Sequence, residues 1–171
     1  VRDPFERWAA DGTIRTGARR DRIATTYEPV LTTAVERIQS AEPSASVAVY
    51  GSVATGQALA PGSDVDLVAV GLPKPVAHAM SDDLTTRIVG LCREVATDAH
   101  PRAHLSDVTE AADGDRVFLR YYCVHLAGTE YRRRSWSDSE TRADTPGIQQ
   151  ALADVVSHVV TAFADLIGLW P

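Results

Sequence analysis

Residues 47 to 71 read VAVYGSVATGQALAPGSDVDLVAVG, and the order of residues in that window decides the fold. Ser46-Val47-Ala48-Val49-Tyr50 is a β-branched and aromatic run halted by glycine, the pattern of a buried strand ending in a turn. Gly51 lacks a Cβ and lets an anion approach the backbone, and Ser52 adds a hydroxyl beside the freed N–H groups. Val53 to Ala60 supplies a turn or two of small and polar residues, and Pro61-Gly62-Ser63 breaks the chain. Val65 to Val70 then resumes an apolar run that should lie beside the first. Asp64 and Asp66 stand two apart at the start of this second strand, so alternation sends both carboxylates to one side while Val65 and Leu67 face the core. Converging carboxylates repel and raise each other's pKa unless a cation lies between them. An all-oxygen ligand set with room for waters and phosphates suits Mg²⁺.

Each piece alone is commonplace: Gly-Ser after a strand is usually a plain turn, and Asp-x-Asp is usually a solvated strand edge. Their order is not commonplace. Gly51-Ser52, eleven intervening residues and then Asp64-Val65-Asp66 resemble the nucleotidyltransferase superfamily typified by DNA polymerase beta. The likeness is greatest to its minimal branch, which includes antibiotic adenylyltransferases and toxin–antitoxin nucleotidyltransferases. It covers residues 45 to 71 closely and continues to about residue 110 by order of elements.

The resemblance implies an α+β fold, a small mixed β-sheet with helices packed on one face, followed by C-terminal helices. It implies transfer of a nucleoside monophosphate, AMP foremost, from a Mg-bound triphosphate (ATP or another NTP) to a hydroxyl of a small antibiotic-like molecule or a protein. Gly51 and Ser52 would hold the triphosphate. Asp64 and Asp66 would ligate two Mg²⁺ ions, which clamp the phosphates and lower the pKa of the acceptor hydroxyl.

The superfamily also places a third carboxylate on a later strand, and here the pattern departs. The next expected strand is Arg102 to Thr109, where His104 occupies the position usually acidic and Asp107 is the nearest carboxylate. His104, Ser106 and Val108 share one face of such a strand, and Ala103, Leu105 and Asp107 the other, so only one of His104 and Asp107 can face the metals. His104 could act as a general base without neutralising metal charge, and a bulge could bring in Asp107. If neither serves, the chain is a degenerate member of the fold that binds a nucleotide or, as an antitoxin-like module, a partner chain.

Composition sets the remaining bounds. With 171 residues, 44% hydrophobic and 23% charged, the chain can bury one sizeable core and reads as an ordinary soluble globular protein. The formal charge of −6 argues against nucleic acid as the main substrate, because binding a polyanion needs a basic face. Arg132-Arg133-Arg134 is a local exception, read as a solvated loop balanced by Asp138, Glu140 and Asp144 or as a clamp for an anionic group. Cys92 and Cys123 fit no zinc or redox spacing and are expected as buried free thiols on helices in a reducing cytoplasm. No run reaches the length of a membrane span, and Val1 to Ala10 is too charged for a signal peptide.

Periodicity predicts a short helix over Pro4 to Ala10 and a longer one from about Arg20 to Gln39, with Ile23, Tyr27, Val30, Leu31, Val35 and Ile38 as its buried stripe. A helix over about His78 to Thr97 is expected to bury Met80, Leu84, Ile88, Leu91 and Val95, leaving His78 and His100 exposed near its ends. Another helix should run from Val117 through Phe118, Tyr121, Val124 and Leu126 to Gly128, and a last one from Ile148 to Leu169. The wide apolar face of that last helix must be buried against the core or in a homodimer, with Trp170 as a candidate anchor. Residues 1–128 thus form the core with N-terminal helices. Residues 129–171 form an irregular loop, a candidate lid carrying Trp136, and a helix packed on that core.

Overall fold

A computed structural model describes residues 3–10, 14–88, 90–100 and 117–130. Its centre is a four-stranded sheet formed by β3 (Ser46–Tyr50), β4 (Val65–Val70), β5 (Val95–His100) and β6 (Val124–Ala127), in the order β5-β4-β3-β6. β3 pairs antiparallel with both β4 and β6, whereas β5 runs parallel to β4. The sheet is therefore mixed, as expected.

Two helices cover one face of the sheet. α1 (Glu28–Ala41) precedes β3, with Pro29 in its first turn, and α3 (Lys74–Arg87) makes the crossover from β4 to β5. Val30, Leu31, Ala34 and Ile38 of α1 and Ala77, Met80 and Leu84 of α3 meet Val47, Val49, Val65, Leu67, Ala69 and Val95 of the sheet in one continuous core. Asp83 of α3 pairs with Arg37 of α1 and with Arg87 of its own helix, each at 2.8 Å. The opposite face carries a smaller cluster of Ala48, Val68, Val70, Leu119 and Cys123, with Tyr50 and Phe118 against it.

β5 is an edge strand, and α3 covers its open side. Ser81 Oγ accepts the Thr97 N–H at 2.9 Å and Thr85 Oγ1 accepts the Val95 N–H at 3.0 Å. These hydroxyls stand four apart on the helix, one turn, and so meet amides two apart on the strand. Edge amides that would otherwise invite another strand are thereby satisfied internally.

Several sequence expectations are corrected. The segment after Pro4 is a two-stranded hairpin, β1 (Arg7–Trp8) and β2 (Ile14–Arg15), rather than a helix. It is anchored by long-range contacts: Ile14 packs with Val117, Tyr122 donates to Glu6 Oε1 at 2.8 Å, and Asp3 accepts the Gly17 N–H at 2.5 Å. The helix expected from Arg20 begins only at Glu28, after 3₁₀ turns at Arg20–Arg22 and Thr25–Tyr27, although Ile23, Tyr27, Val30, Leu31 and Ile38 are buried as expected. α3 starts four residues earlier than expected and ends at Arg87, leaving Leu91 exposed and Val95 in a strand. The Val117 to Gly128 helix is instead a π-helical turn (Phe118–Tyr122) followed by β6, so Val124 and Leu126 are strand residues.

Cys92 and Cys123 are buried and not joined in a disulfide, but neither lies within a helix. No helix among the described residues is long and apolar enough to cross a membrane. His104, Asp107, the arginine run at 132–134, Trp136 and the expected helix at 148–169 lie outside the described residues.

Candidate active site

β3 ends at Tyr50, and the chain turns directly into α2 (Gly51–Thr55), a short helix closed by Gly56 in the left-handed conformation. Gly51 itself has φ +68°, a region that residues with a Cβ enter only at a cost. Space imposes the same choice. A Cβ at position 51 would stand 2.6 Å from Asp66 Oδ2, inside any permitted contact. The glycine therefore lets the turn and the carboxylate of the neighbouring strand occupy adjacent places. Ser52 is half-buried beside it, and no hydrogen bond engages its hydroxyl among the described residues.

Antiparallel pairing sets Tyr50 opposite Asp66, and parallel pairing sets Ala96 beside Asp66 and Asp98 beside Val68. Val65 and Leu67 enter the helix-covered core, so Asp66 stands on the opposite face, as alternation requires. The same logic applies to β5. Val95 and Ala99 face the helices, and Ala96 and Asp98 share the face of Asp66. Asp98 is exposed there and accepts a hydrogen bond from the Tyr50 hydroxyl at 2.5 Å. Tyr50 is held in turn by an edge-on contact with Phe118, ring centres 5.0 Å apart.

Asp98 is a carboxylate on this face that the sequence expectations do not include. The helix expected over about His78 to Thr97 takes in half of its strand, and His104 and Asp107, the expected third positions, lie outside the described residues. A strand signal is present in the sequence: Gly90 interrupts the helical stripe, and the β-branched Val95 and Thr97 stand two apart beyond it.

The electrostatics of the face are those of crowded carboxylates. Asp66 is pushed up to about 6, first by burial and then by the charges of Asp64, Asp98 and Glu94. Burial, followed by the hydrogen bond to Asp98 and its charge, also raises the Tyr50 phenol, which stays protonated as the donor. Asp64 is engaged differently: Arg93 Nε donates to its Oδ1 at 2.8 Å while Nη2 donates to Oδ2, a two-pronged ion pair.

The donor chemistry fits a hard divalent cation, since Asp64, Asp66 and Asp98 offer carboxylate oxygens close together and the charged form of Asp66 is disfavoured, first by burial and then by its like-charged neighbours. As the side chains stand, no three ligating groups among the described residues converge tightly enough to hold an ion. Asp64 is turned to Arg93, and Asp98 to Tyr50. Asp66 alone has no side-chain partner among these bonds.

Residues 31–112 match the family model described as nucleotidyltransferase domain. That segment takes in most of α1, β3, α2, β4, α3 and β5, and hence Gly51, Ser52, Asp64, Asp66 and Asp98. No curated protein matches the chain. Among solved structures, the chain is similar to one described as the toxin-antitoxin MntA-HepT, at 11% identity and a TM-score of 0.38, over 82% of this chain and 94% of that one. It is also similar to one described as the toxin-antitoxin with AMP-PNP, at 14% identity and a TM-score of 0.40, over 77% and 96%. With TM-scores this low, the family match is the finding that carries the assignment.

Proposed function

Residues 31–112 of the chain belong to the nucleotidyltransferase domain family of the polymerase beta-like superfamily, and from that premise we propose that the protein moves a nucleoside monophosphate, AMP foremost, from an NTP to an acceptor hydroxyl. The observation that carries this reading is the common face of Asp66 and Asp98, with the Gly51 turn packed against Asp66 and Asp64 just before the same strand. Asp64 and Asp66 are the residues that would hold Mg²⁺, with Asp98 as the third carboxylate. When bound, the ions neutralise the triphosphate and acidify the acceptor hydroxyl.

The chain's own residues supply position. Ser52 and the backbone at Gly51 receive the phosphates, where a side chain at 51 would intrude. Asp98, exposed at the edge of the face, is placed to take the acceptor's proton as its oxygen bonds to the α-phosphorus and pyrophosphate leaves. The acceptor is a small antibiotic-like molecule or a protein, in keeping with the acidic charge of the chain. Two buried cysteines not joined in a disulfide support a reducing compartment, the cytoplasm.

The test is incubation of the purified protein with labelled ATP, GTP, CTP or UTP, Mg²⁺ and candidate aminoglycosides or proteins. A labelled adduct that disappears in Asp66→Asn and Asp98→Asn, with a loss of at least about 10²-fold, is the expected result. No adduct with any nucleotide or acceptor, self-modification included, overturns the catalytic reading.

A second reading is favoured by the engagement of Asp64 with Arg93 and of Asp98 with Tyr50. In it the fold is a nucleotide- or partner-binding module, antitoxin-like, without turnover. Calorimetry separates the two: a catalytic site binds ATP far more tightly with Mg²⁺ than without, whereas a pure binding module is indifferent to the metal.

A further inference from the structure

The ion pair between Arg93 and Asp64 goes beyond what the proposed chemistry requires, and it involves the first of the candidate metal ligands. Both oxygens of Asp64 are occupied, one by Nε and one by Nη2 of the same guanidinium. Among the described residues, every other ion pair joins groups away from this face: Arg19 with Asp21, Arg20 with Glu28, and Arg37 and Arg87 with Asp83. Among the described residues, Arg93 is the side chain that forms an ion pair with a candidate ligand.

The fold does not need this pair to hold its strands. The Arg93 N–H donates to the Ser63 carbonyl at 3.1 Å and the Val65 N–H to the Glu94 carbonyl at 2.9 Å. Backbone bonds thus flank the pair and fix both main chains, whatever the side chains do. The guanidinium is 60% exposed, where an ion pair contributes little to stability, while Asp64 is 29% exposed. What the pair does accomplish is local: it balances charge on a face that also carries Asp66, Asp98 and the nearby Glu94.

Resting on the metal-site reading above, we propose that Arg93 is an exchangeable counter-cation: it holds Asp64 in place until a divalent ion takes the carboxylate, and the two cations replace one another. The physical reason is competition. A carboxylate has about four lone-pair positions, and a two-pronged guanidinium takes one on each oxygen. An ion bound directly to Asp64 brings two positive charges within a few ångströms of the guanidinium, and that repulsion is poorly screened at such range. Arg93 therefore weakens apparent metal affinity and spares the face from uncompensated repulsion when no ion is bound. A merely structural arginine would have the opposite effect, because removing it would disorder Asp64 and weaken the metal.

The sign of the effect is thus the test. Mn²⁺ binding is titrated by the electron paramagnetic resonance of the free ion at pH 7.5 and low salt, for the wild type, Arg93→Gln, Arg93→Lys and Asp64→Asn. Arg93→Gln should bind Mn²⁺ about five- to tenfold more tightly than the wild type, by loss of one nearby unit charge. Arg93→Lys should stay close to the wild type, and the gain should vanish when Arg93→Gln is combined with Asp64→Asn. In the wild type, the Arg93 Nε–H resonance should move on titration with diamagnetic Mg²⁺. Unchanged or weaker binding by Arg93→Gln, or an unmoved resonance at saturating Mg²⁺, overturns the exchange while leaving the metal site intact. Failure of every form to bind Mn²⁺ at millimolar concentration overturns the metal site itself, and the exchange with it.

Discussion

At the scale of single residues, Gly51 and Asp66 are two halves of one constraint. Gly51→Ala asks an L side chain to adopt φ +68° and sets its methyl 2.6 Å from Asp66 Oδ2. The backbone term alone costs about 1 kcal/mol or more. The variant should melt several degrees lower and lose nucleotidyl transfer by at least about tenfold, read by calorimetry and the labelled-adduct assay. Asp66 makes a prediction of the opposite sign for stability. Its folded pKa, pushed up to about 6, lies above the ordinary carboxylate value of 3.8, so the folded state binds more protons between those two values. Stability linked to this group is greatest below about pH 4, falls as pH rises through about 6, and is flat above. In chelator, Asp66→Asn should therefore be more stable than the wild type by about 1 to 2 kcal/mol at pH 7.5, the gap closing toward pH 4, while transfer activity is lost. Equal denaturant midpoints for the two proteins at pH 7.5 would refute this account of Asp66.

At the scale of elements, β5 explains both why the expected helix ends early and how Asp98 comes to lie on the face of Asp66. The spacing of Met80, Leu84, Ile88, Leu91 and Val95 looks helical throughout, yet the helix stops at Arg87 and Gly90 takes φ +90°. What makes a strand of Val95 to His100 is non-local: parallel pairing with β4, and the hydroxyls of Ser81 and Thr85 meeting its free amides. Those hydroxyls look like ordinary polar positions in the sequence. Removing them with Ser81→Ala and Thr85→Val should cost about 1 kcal/mol each, since each leaves an edge amide without its partner. Hydrogen exchange should show the amides of Val95 and Thr97 losing protection before those of β3. A uniform loss of protection across the sheet would mean that the two hydroxyls contribute nothing specific to the edge. Asp98 rides on this strand, so its position is inherited from α3.

At the scale of the whole molecule, the division of labour between the two sheet faces carries the functional proposal. One face is filled by α1 and α3, and the other holds Asp66 and Asp98 beside a smaller apolar cluster, so the main core is apolar without interruption. Much of this was legible in the chain. The run from Ser46 to Tyr50, the Gly-Ser turn and the alternation of Val65, Asp66 and Leu67 are local signals, set by side-chain period and by the backbone freedom of glycine. They determined β3, α2, β4, the adjacency of the two strands and the side of the sheet on which Asp66 stands. Tertiary structure alone decided which later segment becomes the neighbour of β4, because pairing between strands some thirty residues apart depends on partners that no local period records. It decided for the same reason that Asp98 joins the face, that Tyr50 reaches it, and that Arg93 grips Asp64.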